Sequence, residues 1–409
     1  MKIAEIQLTR DVRAATCICF LVALFEGIDI QSMGVAAPRL VPAFGLTPGQ
    51  IASVMSASTL GLMIGAAIGG WISDRVGRKI VLIVSMAVLA VFSLATTVAP
   101  TYSLLLVIRV LAGLGLGGAF PNLIALISEI APPKMRVTPR RLIYCGLPVG
   151  GAVAGALAAW WPSEDWRLVF YVGGLGPLLL IPVLMKWLPH GPWLGNSSRQ
   201  IQASYASEPR DSNLLGARTS QTVLLWTSYF FTLLAVYLLL NWLPSLLVAN
   251  GYSHTQAAVS SIVLNVGAVI GSIVLGKLTD RGLQKATLIF TYAGMTAALL
   301  VLAAGQGETL FAGAFLAGFF VIGGQLVLYA IAPTIYPEHL RGTGIGAAVA
   351  VGRIGSILGP LQAGLLLSMG TAPGYIPLAA LPGLLIAFAA ASSLISKQAL
   401  MSKQERAPA

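Results

Sequence analysis

Apolar runs of about twenty residues recur along this chain, near 14–38, 50–73, 80–99, 102–127, 142–162, 168–188, 221–247, 255–278, 286–304, 309–332, 342–369 and 374–396. A bilayer core is roughly 30 Å thick, and a helix crosses it in about 20 residues. No water is present at that depth to satisfy peptide groups, so each run must be helical. This fixes the fold class as an all-α membrane protein with twelve transmembrane helices. The composition agrees: 10% of the 409 residues are charged and 56% are hydrophobic, whereas a soluble domain carries about a quarter charged residues. The first run is long and lacks a small-residue cleavage pattern after it, so no cleavable leader is expected.

The net charge of +11 could suggest nucleic acid, but its distribution points elsewhere. With a cytoplasmic N-terminus, one side of the membrane collects "DRVGRK", "PPKMRVTPRR", the polar stretch 189–220, "DRGLQK", "EHLRG" and the C-terminal tail. The opposite loops hold only Arg39 and Arg167 as cations. This is the positive-inside asymmetry, and it places both termini in the cytoplasm of a multi-pass inner-membrane protein. The basic balance therefore reports orientation, and no nucleic acid partner is expected. The three cysteines, Cys17, Cys19 and Cys145, lack metal or redox spacing and read as small helix-core residues.

Residues 189–220 are rich in Ser, Pro, Gly and charge, and read as a cytoplasmic linker between a six-helix bundle at 1–188 and a second at 221–409. The two halves echo each other. "GGWISDRVGRK" follows span two and "LGKLTDRGLQK" follows span eight, so Gly70, Asp74 and Arg75 recur 206 residues later as Gly276, Asp280 and Arg281. Arg136 before span five matches Arg341 before span eleven. Repeated six-helix halves point to a secondary transporter that binds its cargo near the midplane.

The loop "GWISDRVGRK" resembles the G-x-x-x-D-R-x-G-R-K signature of the major facilitator superfamily, which is specific at this place between spans two and three. The resemblance covers essentially the whole chain. "FEGIDIQSMG", "RVLAGLGLGGAFPNLIALISE", "YCGLPVG" and "RGTGIGAAVAVGRIGSILGP" are similar to the aromatic acid:proton symporter family, and most to its 3-(3-hydroxyphenyl)propionate transporter branch. That family opens span one with D-G-x-D; here Glu26-Gly27-Ile28-Asp29 keeps the spacing with Glu in the first place. By resemblance, the loop residues Gly70, Asp74, Arg75, Gly77 and Arg78 act as a gate that stabilises the outward-open state, with Asp280, Arg281, Glu338 and Arg341 in the second half. One departure lies before span five, where R-G-T is replaced by "RVTPRRL", bringing Val137, Pro139, Arg140 and Arg141. Pro139 suits a first helical turn.

Four charges sit inside spans: Glu26, Asp29, Arg109 and Arg353. Facing lipid singly they would cost roughly 10 kcal/mol together, so they should face the interior and pair or change protonation state. Glu26 and Asp29 are three apart and share a helical face. Asp29 and Arg109 both fall about 10–14 Å from the same membrane surface at 1.5 Å per residue, so Arg109 can pair with Asp29 or with Glu26. Such a pair could be a fixed brace between spans one and four, or a proton-linked switch. Burial and a second acid favour the protonated carboxyl, while an arginine favours the ionised one. Protonation would release Arg109 to hold a substrate carboxylate through both nitrogens, and the two acids would titrate as a unit.

Arg353 lies about 18 Å into span eleven from Arg341, near the midplane, either as an anchor to nearby carbonyls or as a second anion contact. The resemblance gives both arginines a role in transport. An aromatic acid also needs a flat apolar pocket with a few polar groups. Tyr144, Tyr237, Asn241, Gln325 and Tyr329 are candidate contacts, with Gln325 suited to a phenolic hydroxyl, and Tyr229 lies on the same span as Tyr237. Trp242 reads as an interfacial anchor. Gly61, Gly65 and Gly69 on span two, and Gly113 and Gly117 on span four, repeat every four residues and predict close helix packing.

No P-loop, Ser/His/Asp constellation or metal-ligand cluster is present, and His190, His254 and His339 lie at span ends or in loops. An enzyme, a cofactor and a metal are therefore not expected. The expectation is a monomeric, proton-coupled symporter that imports an aromatic carboxylate such as 3-(3-hydroxyphenyl)propionate by alternating access. The alternatives are a carrier for another organic anion, sugar or drug, and a membrane sensor that binds the acid without moving it.

Overall fold

The computed structural model describes residues 2–131, 137–160, 165–188, 219–332, 335–336 and 338–404; the side chains of 2–11, 137–138, 326, 330, 338–339, 341–342 and 397–404 lie outside that description. The linker at 189–220 falls almost wholly outside it, as do the side chains of Glu338 and Arg341. Among the described residues, twelve helices are long and apolar enough to cross a membrane. In order they are α1 (Lys2–Phe44), α2 (Pro48–Val76), α3 (Arg78–Thr96), α4 (Tyr102–Ile130), α5 (Val137–Trp160), α6 (Leu168–Trp187), α7 (Thr219–Ala249), α8 (His254–Asp280), α9 (Gln284–Ala304), α10, α11 (Glu338–Ser368) and α12 (Leu381–Gln404). Helix α10 begins as Glu308–Ala317, passes through a π-helical turn at Gly318–Ile322 and resumes as Gly323–Ile331. Large apolar side chains such as Trp71, Leu179, Met185, Leu365 and Leu385 are exposed, which suits a chain solvated by lipid.

Several helix starts follow from local sequence. Thr47 accepts from the Gln50 amide while the Gln50 side chain accepts from the Thr47 amide, and Pro48 takes the first helical position of α2. This reciprocal cap satisfies two otherwise orphaned donors. Ser253 and Gln256 repeat it before α8, 206 residues later. The departure before span five is accommodated: α5 starts at Val137, Pro139 falls in its first turn, and Arg140 donates to the Ser128 hydroxyl on α4 at 2.9 and 2.6 Å.

Two compact units emerge, Met1–Trp193 with Leu240–Asn265 and Leu367–Met369, and Leu194–Leu239 with Val266–Leu366 and Gly370–Ala409. In the first, α2 packs on α4 through glycines. A Cβ on Gly61 or Gly65 would overlap the carbonyl oxygens of Val110 or Leu114, and one on Gly113 or Gly117 those of Ser58 or Leu62. In the second, Gly267 and Gly271 meet the carbonyls of Phe315 and Phe319 in the same way. Gly267 and Gly271 stand 206 residues after Gly61 and Gly65. The α1–α5 contact also recurs: Gly150 lies against the Leu24 carbonyl, and Gly355 against that of Phe230. A shared scaffold thus brings backbones together wherever a side chain is missing.

The cations on the sparsely charged side cap helix ends. Arg39 donates to the Ala158 carbonyl in the last turn of α5, at 3.2 Å, and Arg167 to the Thr97 carbonyl beyond α3, at 2.8 Å. Each meets an orphaned oxygen at the negative end of a helix. Trp242, expected as an interfacial anchor, is buried at 3% exposure; the chain around it, Leu240–Asn265, groups with the first unit.

Candidate functional site

In the first unit, Asp29 on α1 and Arg109 on α4 form a two-pronged ion pair, with Nη1 to Oδ1 at 3.2 Å and Nη2 to Oδ2 at 2.8 Å. Both side chains are 0% exposed. The third direction of the guanidinium is used as well, since Nε donates to the Ser58 hydroxyl on α2 at 2.9 Å. Ser93 on α3 donates to Asp29 Oδ1 at 3.0 Å and to the Phe170 carbonyl of α6 at 3.3 Å. The Phe170 ring lies 5.5 Å from the guanidinium carbon. Matched depth in the sequence therefore becomes contact, and of the two acids it is Asp29 that takes the arginine's fork. Glu26 is also buried, at 2% exposure, one turn earlier on the same helix. Ser58 and Ser93 were not singled out by sequence, because a serine in an apolar helix carries no signal of its own.

In the second unit, Arg353 on α11 is half-buried and donates to the Tyr237 hydroxyl on α7 at 2.6 Å. Gln325 donates to the Tyr329 hydroxyl at 3.1 Å on α10. The Tyr329 ring meets the fully buried Tyr229 edge-on, centroids 5.5 Å apart, and the Arg353 charge acts on the Tyr329 phenol. Arg353, Tyr237, Gln325 and Tyr329 thus form one neighbourhood in which a fixed cation is surrounded by aromatic faces and hydroxyls. The π-helical turn ends two residues before Gln325; such turns disturb the register of a helix and recur at functional positions. Two further candidates lie in the first unit. Tyr144 on α5 packs edge-on against Phe120 at 5.2 Å, and Asn241 is buried on α7 with Gly34 against its backbone.

The loop residues form a second polar cluster. Gly77 ends α2 with φ of 92°, a conformation that favours glycine. Arg78 then turns back to Asp74 at 2.8 Å, Glu129 at 3.3 Å, Asn122 at 3.4 Å and the Ser73 hydroxyl. Arg75 lies over the Trp71 ring, 3.6 Å from its centroid. Glu129 and Asn122 at the end of α4 were missed from sequence, although Glu129 is the lone acid of that span. In the second half, α8 ends at Asp280 and Gly282 takes φ of 81°. Among the described residues no group of His, Cys, Asp and Glu could hold a metal ion.

The fold, the loop cluster and the buried charges define a class, and comparison with known proteins gives the same answer. The Major Facilitator Superfamily model matches residues 19–281 and 225–408, and the chain belongs to that superfamily. It is 44% identical over 386 residues to the 3-(3-hydroxy-phenyl)propionate transporter of Escherichia coli, covering 93% of each chain. It is 34% identical to the gallate transporter of Pseudomonas putida, covering 93% of this chain and 90% of that one. Identity to a 4-hydroxybenzoate transporter of Pseudomonas putida is 33%, with 86% of each covered. Among solved structures, a D-xylose-proton symporter superposes with a TM-score of 0.75 at 18% identity, covering 93% of this chain and 97% of that one. The chain is thus a multi-pass membrane protein of a transporter family rather than an enzyme.

Proposed function

We propose that the protein carries a hydroxylated aromatic carboxylate, most simply 3-(3-hydroxyphenyl)propionate, inward across a bacterial inner membrane together with protons, with both termini in the cytoplasm and the two six-helix halves alternating in access. The observation that carries the coupling is the fully buried Asp29–Arg109 pair. The relatives with named aromatic-acid cargoes support the substrate class.

The chemistry runs as follows. While Asp29 is ionised, Arg109 is fully occupied by Asp29 and Ser58. Protonation of the acid pair Glu26 and Asp29 removes the ion pair and leaves a buried guanidinium without a counter-charge, a state that costs about 3–5 kcal/mol. A substrate carboxylate relieves that cost by taking the planar fork. Proton and anion then bind together because each lowers the other's cost. Arg353 supplies the standing cation of the second unit, Tyr237, Tyr329, Tyr144 and Asn241 shape the pocket, and Gln325 meets the phenolic hydroxyl. The loop cluster around Asp74, Arg75 and Arg78, with Asp280, Arg281, Glu338 and Arg341 at the equivalent places, gates the pathway.

One observation favours a second reading: Ser58 and Ser93 tie the pair to α2 and α3, as a permanent brace would require. Counterflow and uphill uptake in proteoliposomes separate the two readings. A switch predicts that Asp29→Asn still exchanges labelled for unlabelled acid but no longer accumulates it. A brace predicts that the variant does neither because the bundle is lost. Absence of counterflow in the parent protein would leave only a sensor.

A further inference from the structure

Gln31 and Asn265 face each other as a reciprocal amide pair. Gln31 Nε2 donates to Asn265 Oδ1 at 2.8 Å, and Asn265 Nδ2 donates back to Gln31 Oε1 at 2.7 Å. The second proton of the Asn265 amide goes to the Ser261 carbonyl at 2.7 Å. Gln31 is 4% exposed and Asn265 0%, and the two lie 234 residues apart in the chain. The slot they occupy exists because residue 151 is glycine: a Cβ there would overlap the Gln31 amide and come within 2.6 Å of Asn265 Oδ1.

The pair is one of several contacts that seat the α7–α8 hairpin. Leu240–Asn265 belongs by sequence to the second half, yet it groups with the first unit. Gly34 of α1 lies against the Leu240 and Asn241 carbonyls, where a Cβ would stand 2.6 and 2.8 Å from the oxygens. Gly155 of α5 lies against the Ala258 carbonyl, at 3.0 Å by the same measure. Ala258 joins the apolar cluster of Ile28, Val35 and Ala154, with Ile262 packed against it. The glycine contacts and apolar packing have no direction, whereas a buried amide pair is costly to leave half-made.

We propose that the hairpin Leu240–Asn265 is a movable lid on α1 and α5, and that the Gln31–Asn265 amide pair is the latch that fixes its closed position. This rests on the alternating-access reading, because a carrier must release the lid to open the other side. Asp29 and Gln31 are two residues apart, so α1 presents the ion pair on one face and the latch on another. Movement of α1 when Asp29 changes partner therefore reaches the lid through a rigid element.

The test uses the full chain in lipid nanodiscs, made cysteine-free by Cys17→Ala, Cys19→Ala and Cys145→Ala. Nitroxide labels are placed at the exposed positions Ala43 and Asn250, and the distance between them is read by double electron–electron resonance without substrate. Asn265→Leu should shift the population from the short distance to a longer one by roughly tenfold, the worth of two hydrogen bonds. Gly151→Ala should do the same without touching either amide, since its methyl meets only the mobile ends of these side chains. The exchanged pair Gln31→Asn with Asn265→Gln should restore the short distance. An unchanged distribution in both Asn265→Leu and Gly151→Ala overturns the latch. A shift accompanied by no counterflow in the parent would keep the latch and remove the carrier reading; counterflow without a shift would do the reverse.

Discussion

Arg109 grips Asp29 through both terminal nitrogens, and neither side chain reaches the surface. A pair so enclosed changes state only if a proton or a competing anion takes over one partner, which makes its neutral variants informative.

Replacing Asp29 by Asn keeps the size and removes the charge. Uphill accumulation of labelled 3-(3-hydroxyphenyl)propionate should vanish while counterflow continues, and Glu26→Gln should weaken accumulation too if the acids act as a unit. Full accumulation in both variants would refute the proton assignment. A proton uncoupler should collapse accumulation in the parent as completely.

Arg109→Lys keeps the charge but loses the planar fork. Initial uptake should fall by about tenfold or more, as one charge-assisted hydrogen bond contributes about 1.5–3 kcal/mol. Normal apparent affinity in this variant would remove Arg109 from the substrate pathway.

Tyr237→Phe deletes the hydroxyl that holds Arg353 at 2.6 Å. The apparent KM for the acid should rise roughly tenfold, with the melting temperature little changed. Gln325→Leu should cut discrimination between phenolic acids and their deoxy analogues, measured by competition with hydroxylated and unsubstituted phenylpropionates. Equal competition profiles would take Gln325 out of the site.

Gly65→Ala forces a methyl onto the Leu114 carbonyl, and Gly271→Ala onto that of Phe319. Each should lower the melting temperature through about 1–3 kcal/mol of overpacking. Gly276→Ala, where nothing lies within 4 Å, should be neutral or slightly stabilising.

Much of this was legible because lipid leaves few choices. Span number came from run length, the depth match of Asp29 and Arg109 from helical rise, and the α2–α4 contact from glycines four apart. Gly267 and Gly271 stood at the same 206-residue spacing as the loop repeat, and only their partner carbonyls needed the structure. The ion pair has no such echo: the residue 206 after Asp29 is Ala235. Packing is repeated in the halves, whereas the chemistry is not. The acceptors of Arg78, the serines around Arg109 and the Gln31–Asn265 pair stayed hidden because each joins distant positions through single polar residues. A lone Ser or Asn in an apolar run has no period to betray its partner.

The widened turn at Gly318–Ile322 has a further consequence. It accommodates an extra residue within α10, so the direction of Gln325 and Tyr329 is set by chain length as much as by residue identity. Deleting one position there would swing everything downstream by about 100°, carrying the amide and phenol away from their present neighbours. Cargo preference among relatives could thus diverge through a one-codon loss, with each pocket side chain left intact.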